Sequence, residues 1–146
     1  MIAGLEPWAQ SALGVGAGLT IGALVGLERG FNLRSEPDGT RVAGVRTFSL
    51  MGLGAGIAGL LSASHPWAAA AIILAMIVPL ALAYRAKLEA KGDATSPIAA
   101  AATIASAFLA GSGVIGLALA AAAVIVLVLA MREDLHGFVE RLDERD

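Results

Sequence analysis

The sequence predicts an all-α, polytopic membrane protein of about five transmembrane helices, and three observations carry that prediction. First, 58% of the 146 residues are hydrophobic and only 15% are charged, with a mean hydropathy of +0.79. A soluble domain holds roughly 25% charged residues. Second, the apolar residues lie in long uncharged runs and the charges lie between them, as membrane spans require. Third, all ten basic residues fall into three clusters that alternate with short uncharged turns.

The first apolar run is Ala9–Leu27, whose 19 residues make ~28 Å of helix, close to one hydrocarbon core. No basic residue precedes it, so it lacks the positive start of a signal peptide and is expected to remain as a span. The second run is Thr47–Ser64. Ser64-His65-Pro66 then reads as a turn, with Pro66 opening the third run, Trp67–Tyr84. Pro79 should kink that helix, which neighbouring helices can accommodate in a membrane. Trp8, Trp67 and Tyr84 lie at span ends, where aromatic belts form.

The last apolar stretch, Ile98–Met131, has 34 residues and as one helix would reach ~51 Å, too long for a single span. Gly111-Ser112-Gly113 divides it into spans near 95–110 and 114–131. The charges favour this division. Arg29, Arg34, Arg41 and Arg46 follow the first span, Arg85, Lys87 and Lys91 the third, and Arg132, Arg141 and Arg145 the last. Five spans (9–27, 47–64, 67–84, 95–110, 114–131) put every one of them in the cytoplasm, with the N-terminus outside. The tail, 132–146, carries Leu135, Phe138, Val139 and Leu142 at helical spacing and reads as a cytoplasmic amphipathic helix on the membrane surface.

Gly14, Gly18, Gly22, Gly26 and Gly30 recur every fourth residue, and the second span carries Gly52, Gly56 and Gly59. Residues four apart are offset by only ~40° on a helix, so each set forms one slowly turning groove. Small residues let helix backbones approach closely in lipid. The groove reads as a helix-packing face, its partner being another span or a second copy. Five helices are few to enclose a pathway, so a homodimer is expected.

Charged and polar residues near the membrane supply the candidate ion site. Glu28-Arg29 closes the first span, and Arg46-Thr47 opens the second. Charges at that depth are either functional or snorkelling anchors. Thr103 and Ser106 share a face of the fourth span, where hydroxyls commonly bond to their own helix carbonyls. No ionisable residue falls at a span midplane, which speaks against a buried carboxylate relay. A net charge of −2 leaves no basic footprint for nucleic acid, and the absence of cysteine removes thiolate chemistry. No catalytic grouping or cofactor loop is visible. Glu28 and the loop acids Glu36 and Asp38 could offer magnesium its oxygens, but a solvated acidic loop is the stronger reading, and the metal stays open. The chain is therefore not expected to be an enzyme or to carry a cofactor.

Two motifs, Gly22–Arg29 (GALVGLER) and Ala43–Leu50 (AGVRTFSL), resemble the MgtC/SapB membrane superfamily. Met131–Leu142 (MREDLHGFVERL) resembles the end of the membrane domain in a branch of undefined function. The resemblance runs from Ala9 to about Leu142 and corresponds to an N-terminal, five-span membrane domain. It implies a bacterial inner-membrane protein, N-terminus outside, linked to ion and especially magnesium homeostasis. It also implies Glu28, Arg29, Arg46 and Thr47 as motif positions, with Gly22, Gly26 and Gly44 as motif glycines. Two functions follow as expectations: a small homodimeric transporter or channel, or a non-transporting protein that binds another membrane protein through its glycine-rich helices.

Overall fold

A computed structural model describes residues 6–32, 43–91 and 95–131, and the side chains of these except at 32 and 86–91. Among the described residues the regular structure is five α-helices: α1 (Pro7–Asn32), α2 (Val45–Leu61), α3 (Pro66–Lys91), α4 (Thr95–Gly111) and α5 (Ile115–Ala130). The expected all-α fold is present. The amphipathic tail over 132–146 and the loop acids Glu36 and Asp38 lie outside the described residues.

Helix ends follow local chemistry. Pro66 opens α3, where a missing N–H costs nothing. At the other end of the turn, the Ser62 hydroxyl donates to the Gly59 carbonyl at 2.7 Å and helps close α2. The α4–α5 turn is a Schellman motif: Val114 N–H donates to Leu109 O and Gly113 N–H to Ala110 O, both at 3.1 Å. Gly113 sits at φ +96°, a conformation that glycine alone adopts at little cost.

Two helices run past the apolar runs that announce them. α1 continues through Glu28 and Arg29 to Asn32, and α3 continues through Arg85 to Lys91. Both helices therefore extend beyond the spans expected at 9–27 and 67–84. Hydropathy marks the part of a helix that matches hydrocarbon. Ala, Lys, Leu and Glu beyond Tyr84 are good helix formers whatever their polarity.

Packing centres on α1, α2 and α4. The α1–α2 interface is the most extensive, and α2 and α1 both pack on α4. α5 lies against α4 and α1, while α3 rests on α2 and barely touches α4. The glycines explain how near the three central helices come. A Cβ at Gly18 would lie 2.7 Å from the Gly52 carbonyl oxygen, and at Gly14 2.7 Å from that of Ala110. At Gly26 it would lie 2.8 Å from Val45 Cα. At Gly22 it would overlap the Phe48 carbonyl oxygen, at Gly52 that of Gly18, at Gly59 that of Phe108 and at Gly111 that of Gly56. Gly56 itself is in backbone contact with Val15. The glycine grooves are thus filled by helices of the same chain.

Residue size is inverted relative to a soluble bundle. Ala55, Ala58, Ala100, Ala107, Ala110 and Ala118 are fully buried, around a few large groups such as Ile21, Val25 and Phe48. Leu50, Leu74, Leu82, Ile98, Val124 and Leu127 face outwards. Such a surface would aggregate in water. In lipid it costs nothing, and close backbone contact supplies the dispersion that holds the helices together.

Candidate functional site

The site is built where α1 ends. Gly22 and Gly26 draw the last turns of α1 onto the first turns of α2, over Val45 and Phe48. Arg29 is three residues beyond Gly26 and so shares its face. Arg29 is only 2% exposed. Its Nη2 donates to the hydroxyl of Ser96, itself buried in the first turn of α4. Pro97 follows Ser96 without disturbing the helix, because N–H groups of a first turn have no intrahelical acceptor. Beside this contact lies the main apolar cluster, with Val25, Phe48, Tyr84, Ala99 and Leu129 drawn from all five helices.

A buried guanidinium inside an apolar bundle is costly, and such charges in membrane proteins mark functional positions by default. Of the two readings open for Arg29, a snorkelling anchor would keep its head in the headgroup layer. The inward course to Ser96 does not fit an anchor. Glu28 is half-buried, and its Oε2 is shielded from solvent.

The other expected site residues separate into two groups. Arg46 and Thr47 are exposed on α2. Phe48 holds the face of α2 that meets α1, and Arg46, two residues earlier, is ~200° round the helix from it. Arg46 therefore does not converge with Arg29. Thr103 and Ser106 are buried on the inner face of α4. Thr103 Oγ1 donates to the Ala99 carbonyl at 2.7 Å, the back-bond expected of a helix threonine. These hydroxyls stand ~10 and ~15 Å along the helix from Ser96. Ser96, Thr103 and Ser106 consequently form a polar stripe on α4, with Arg29 at one end.

Ser96 and Tyr84 are the participants that sequence reasoning missed. Ser96 is seven residues before Thr103, which puts both on one face after two turns. That spacing could have flagged it. Tyr84 read as a belt residue, yet it is buried among the five helices because α3 runs on past it. Among the described residues no three His, Asp or Glu side chains gather as metal ligands.

A profile of the MgtC family matches residues 15–138. The chain belongs to the MgtC family. That span includes the glycine contacts from Gly18 onwards, the Arg29–Ser96 pair and the α4 stripe, and it supports membership of the MgtC/SapB superfamily. Comparison with curated proteins and with solved structures finds no significant match. Family membership together with the apolar outer faces makes this MgtC-family chain a membrane protein, of a class associated with ion homeostasis.

Proposed function

We propose that this chain is a small, non-enzymatic transporter or channel of the bacterial inner membrane, working as a homodimer in ion homeostasis, with magnesium the first ion to test. The observation that carries the reading is Arg29, a charge held at 2% exposure inside an apolar bundle. Glu28 beside it supplies oxygen of the kind magnesium binds, and Arg29 supplies the charge that selects anions. The site therefore has to be assayed with both. Glycine contacts fill the α1–α2–α4 trio with backbone. The pathway is therefore put at the edge of the trio, beyond the Gly26 contact, where α1 ends with the half-buried Glu28 and with Arg29 against Ser96, and where a second copy would complete it.

Topology is proposed as five spans, N-terminus outside and C-terminus cytoplasmic. α1 and α3 are long and apolar enough to cross a membrane on their own. α2, α4 and α5, of 17, 17 and 16 residues, make ~25 Å each, a mismatch that local thinning of the bilayer absorbs at small cost. The positive-inside asymmetry then orients the whole. The alternative is capture of another membrane protein through the glycine-rich helices; the occupation of most α1 and α2 glycines by the chain's own helices favours the transport reading over it.

The test is flux into proteoliposomes of the purified chain, with magnesium and then small anions, for wild type, Glu28→Gln and Arg29→Met. Flux abolished by either substitution in folded protein supports the reading. Silence from folded, inserted wild type with every ion would end it. A reporter fused to the C-terminus is expected to be active only in the cytoplasm. Activity outside the cell would overturn the topology.

A further inference from the structure

A groove runs between α2 and α3 on the outer face of the bundle. Thr47, Leu50 and Met51 form its α2 wall, and Met76, Leu80 and Ala83 its α3 wall, with Pro79 between them. Its volume is about 310 Å³. From Met76 to Ala83 it extends ~10 Å along the helix, roughly two-thirds of the ~15 Å depth of one hydrocarbon leaflet. The lining is apolar except at one end, where the exposed Thr47 stands. Two unbranched, adaptable methionines lie in its walls, side chains suited to an irregular, mobile guest.

Arg46 marks the same end. It is exposed and does not itself line the groove, but it precedes the lining residue Thr47 and lies one helical turn, ~40° of rotation, before the lining residue Leu50, which puts it just beyond that end. The site thus has an apolar trough in the hydrocarbon layer and a cation with a neighbouring hydroxyl at its mouth. The outer groove between α1 and α5 has no such mouth, since no basic residue lies within four positions of any residue that lines it.

We propose that the α2–α3 groove holds an anionic phospholipid, one acyl chain along Met51, Met76 and Leu80 and its phosphate at Arg46 and Thr47. This goes beyond the transport reading and rests on membrane residence alone. It gives Arg46 a role that its separation from Arg29 otherwise leaves open. The arginine fork matches a phosphate's oxygens, and the hydroxyl adds a donor. A zwitterionic lipid fills the trough equally well but lacks the net charge that Arg46 attracts.

The test is native mass spectrometry of the purified full chain in detergent, titrated with phosphatidylglycerol or phosphatidylcholine. Wild type is expected to retain one phosphatidylglycerol at about fivefold lower concentration than phosphatidylcholine, one basic group's worth of attraction. Arg46→Gln should remove that preference while leaving phosphatidylcholine retention in place, and Arg46→Lys should largely keep it. Ala83→Phe, which fills the groove, should weaken retention of both lipids. Equal retention by wild type, or a preference that survives Arg46→Gln, would overturn the assignment. Retention unaffected by Ala83→Phe, or lipid loss that tracks dimer formation, would also overturn it, the last giving the groove to a second copy.

Discussion

Gly22→Ala is expected to destabilise the chain in detergent by at least ~2 kcal/mol, while Gly16→Ala, earlier on the same helix, leaves it unchanged or slightly more stable. The substitution adds the same methyl group in both cases, and the surroundings differ. At Gly22 the new Cβ overlaps the Phe48 carbonyl oxygen and crowds Gly52, both backbone groups of α2. Backbone cannot rotate away as a side chain can. α1 and α2 must move apart, and the contacts above and below, at Gly18 and Gly26, loosen with them. At Gly16 the Cβ meets nothing within 4 Å, so only the better helix propensity of alanine remains, worth ~1 kcal/mol at most. Gly22→Leu should prevent folding altogether. The measurement is thermal or denaturant unfolding of the purified variants. Equal effects at the two positions would mean that the α1–α2 contact does not hold the fold together.

The second large effect concerns Arg29 and Ser96, and it separates stability from function. Ser96→Ala removes the acceptor that Arg29 donates to. The guanidinium then stays buried without that bond, at an expected cost of ~1–3 kcal/mol. Arg29→Met fills a similar volume with an apolar chain and removes the buried charge as well. It should cost less than Ser96→Ala in stability, because replacing a buried polar group by an apolar one of like shape is often close to neutral. The double substitution should cost clearly less than the sum of the two, with a coupling of ~1 kcal/mol or more. Flux is expected to run the other way: Arg29→Met should abolish it, and Ser96→Ala should leave part of it. Additive single effects would show that the two residues do not act as a unit.

Arg29 and Arg46 show what could and could not be read in advance. Each stands beside an apolar run, next to a residue of opposite or neutral polarity, and local sequence treats them alike. Their fates divide at Gly26 and Phe48. Arg29 lies on the glycine face of α1 and turns into the bundle; Arg46 lies on the far side of α2 from Phe48 and turns out. Ser96 was harder to see. It is neutral, its own helix could satisfy it, and its partner is 67 residues away in the chain.

By itself the sequence determined the all-α class, the places of the five helices, the turns near Ser64–Pro66 and Gly111–Gly113, and the face on which α1 packs. These follow from short-range rules: hydropathy over a span, a four-residue glycine repeat, and breakers between apolar runs. Tertiary structure alone decided three things. It decided that the glycine grooves are filled by α2 and α4 instead of a second chain. It sent Arg29 inwards to Ser96, and it left the α2–α3 groove open below Arg46. The physical reason is common to all three. A helix presents every face its sequence encodes, but which face is covered depends on neighbours supplied by distant parts of the chain, and in lipid no hydrophobic force ranks those faces beforehand.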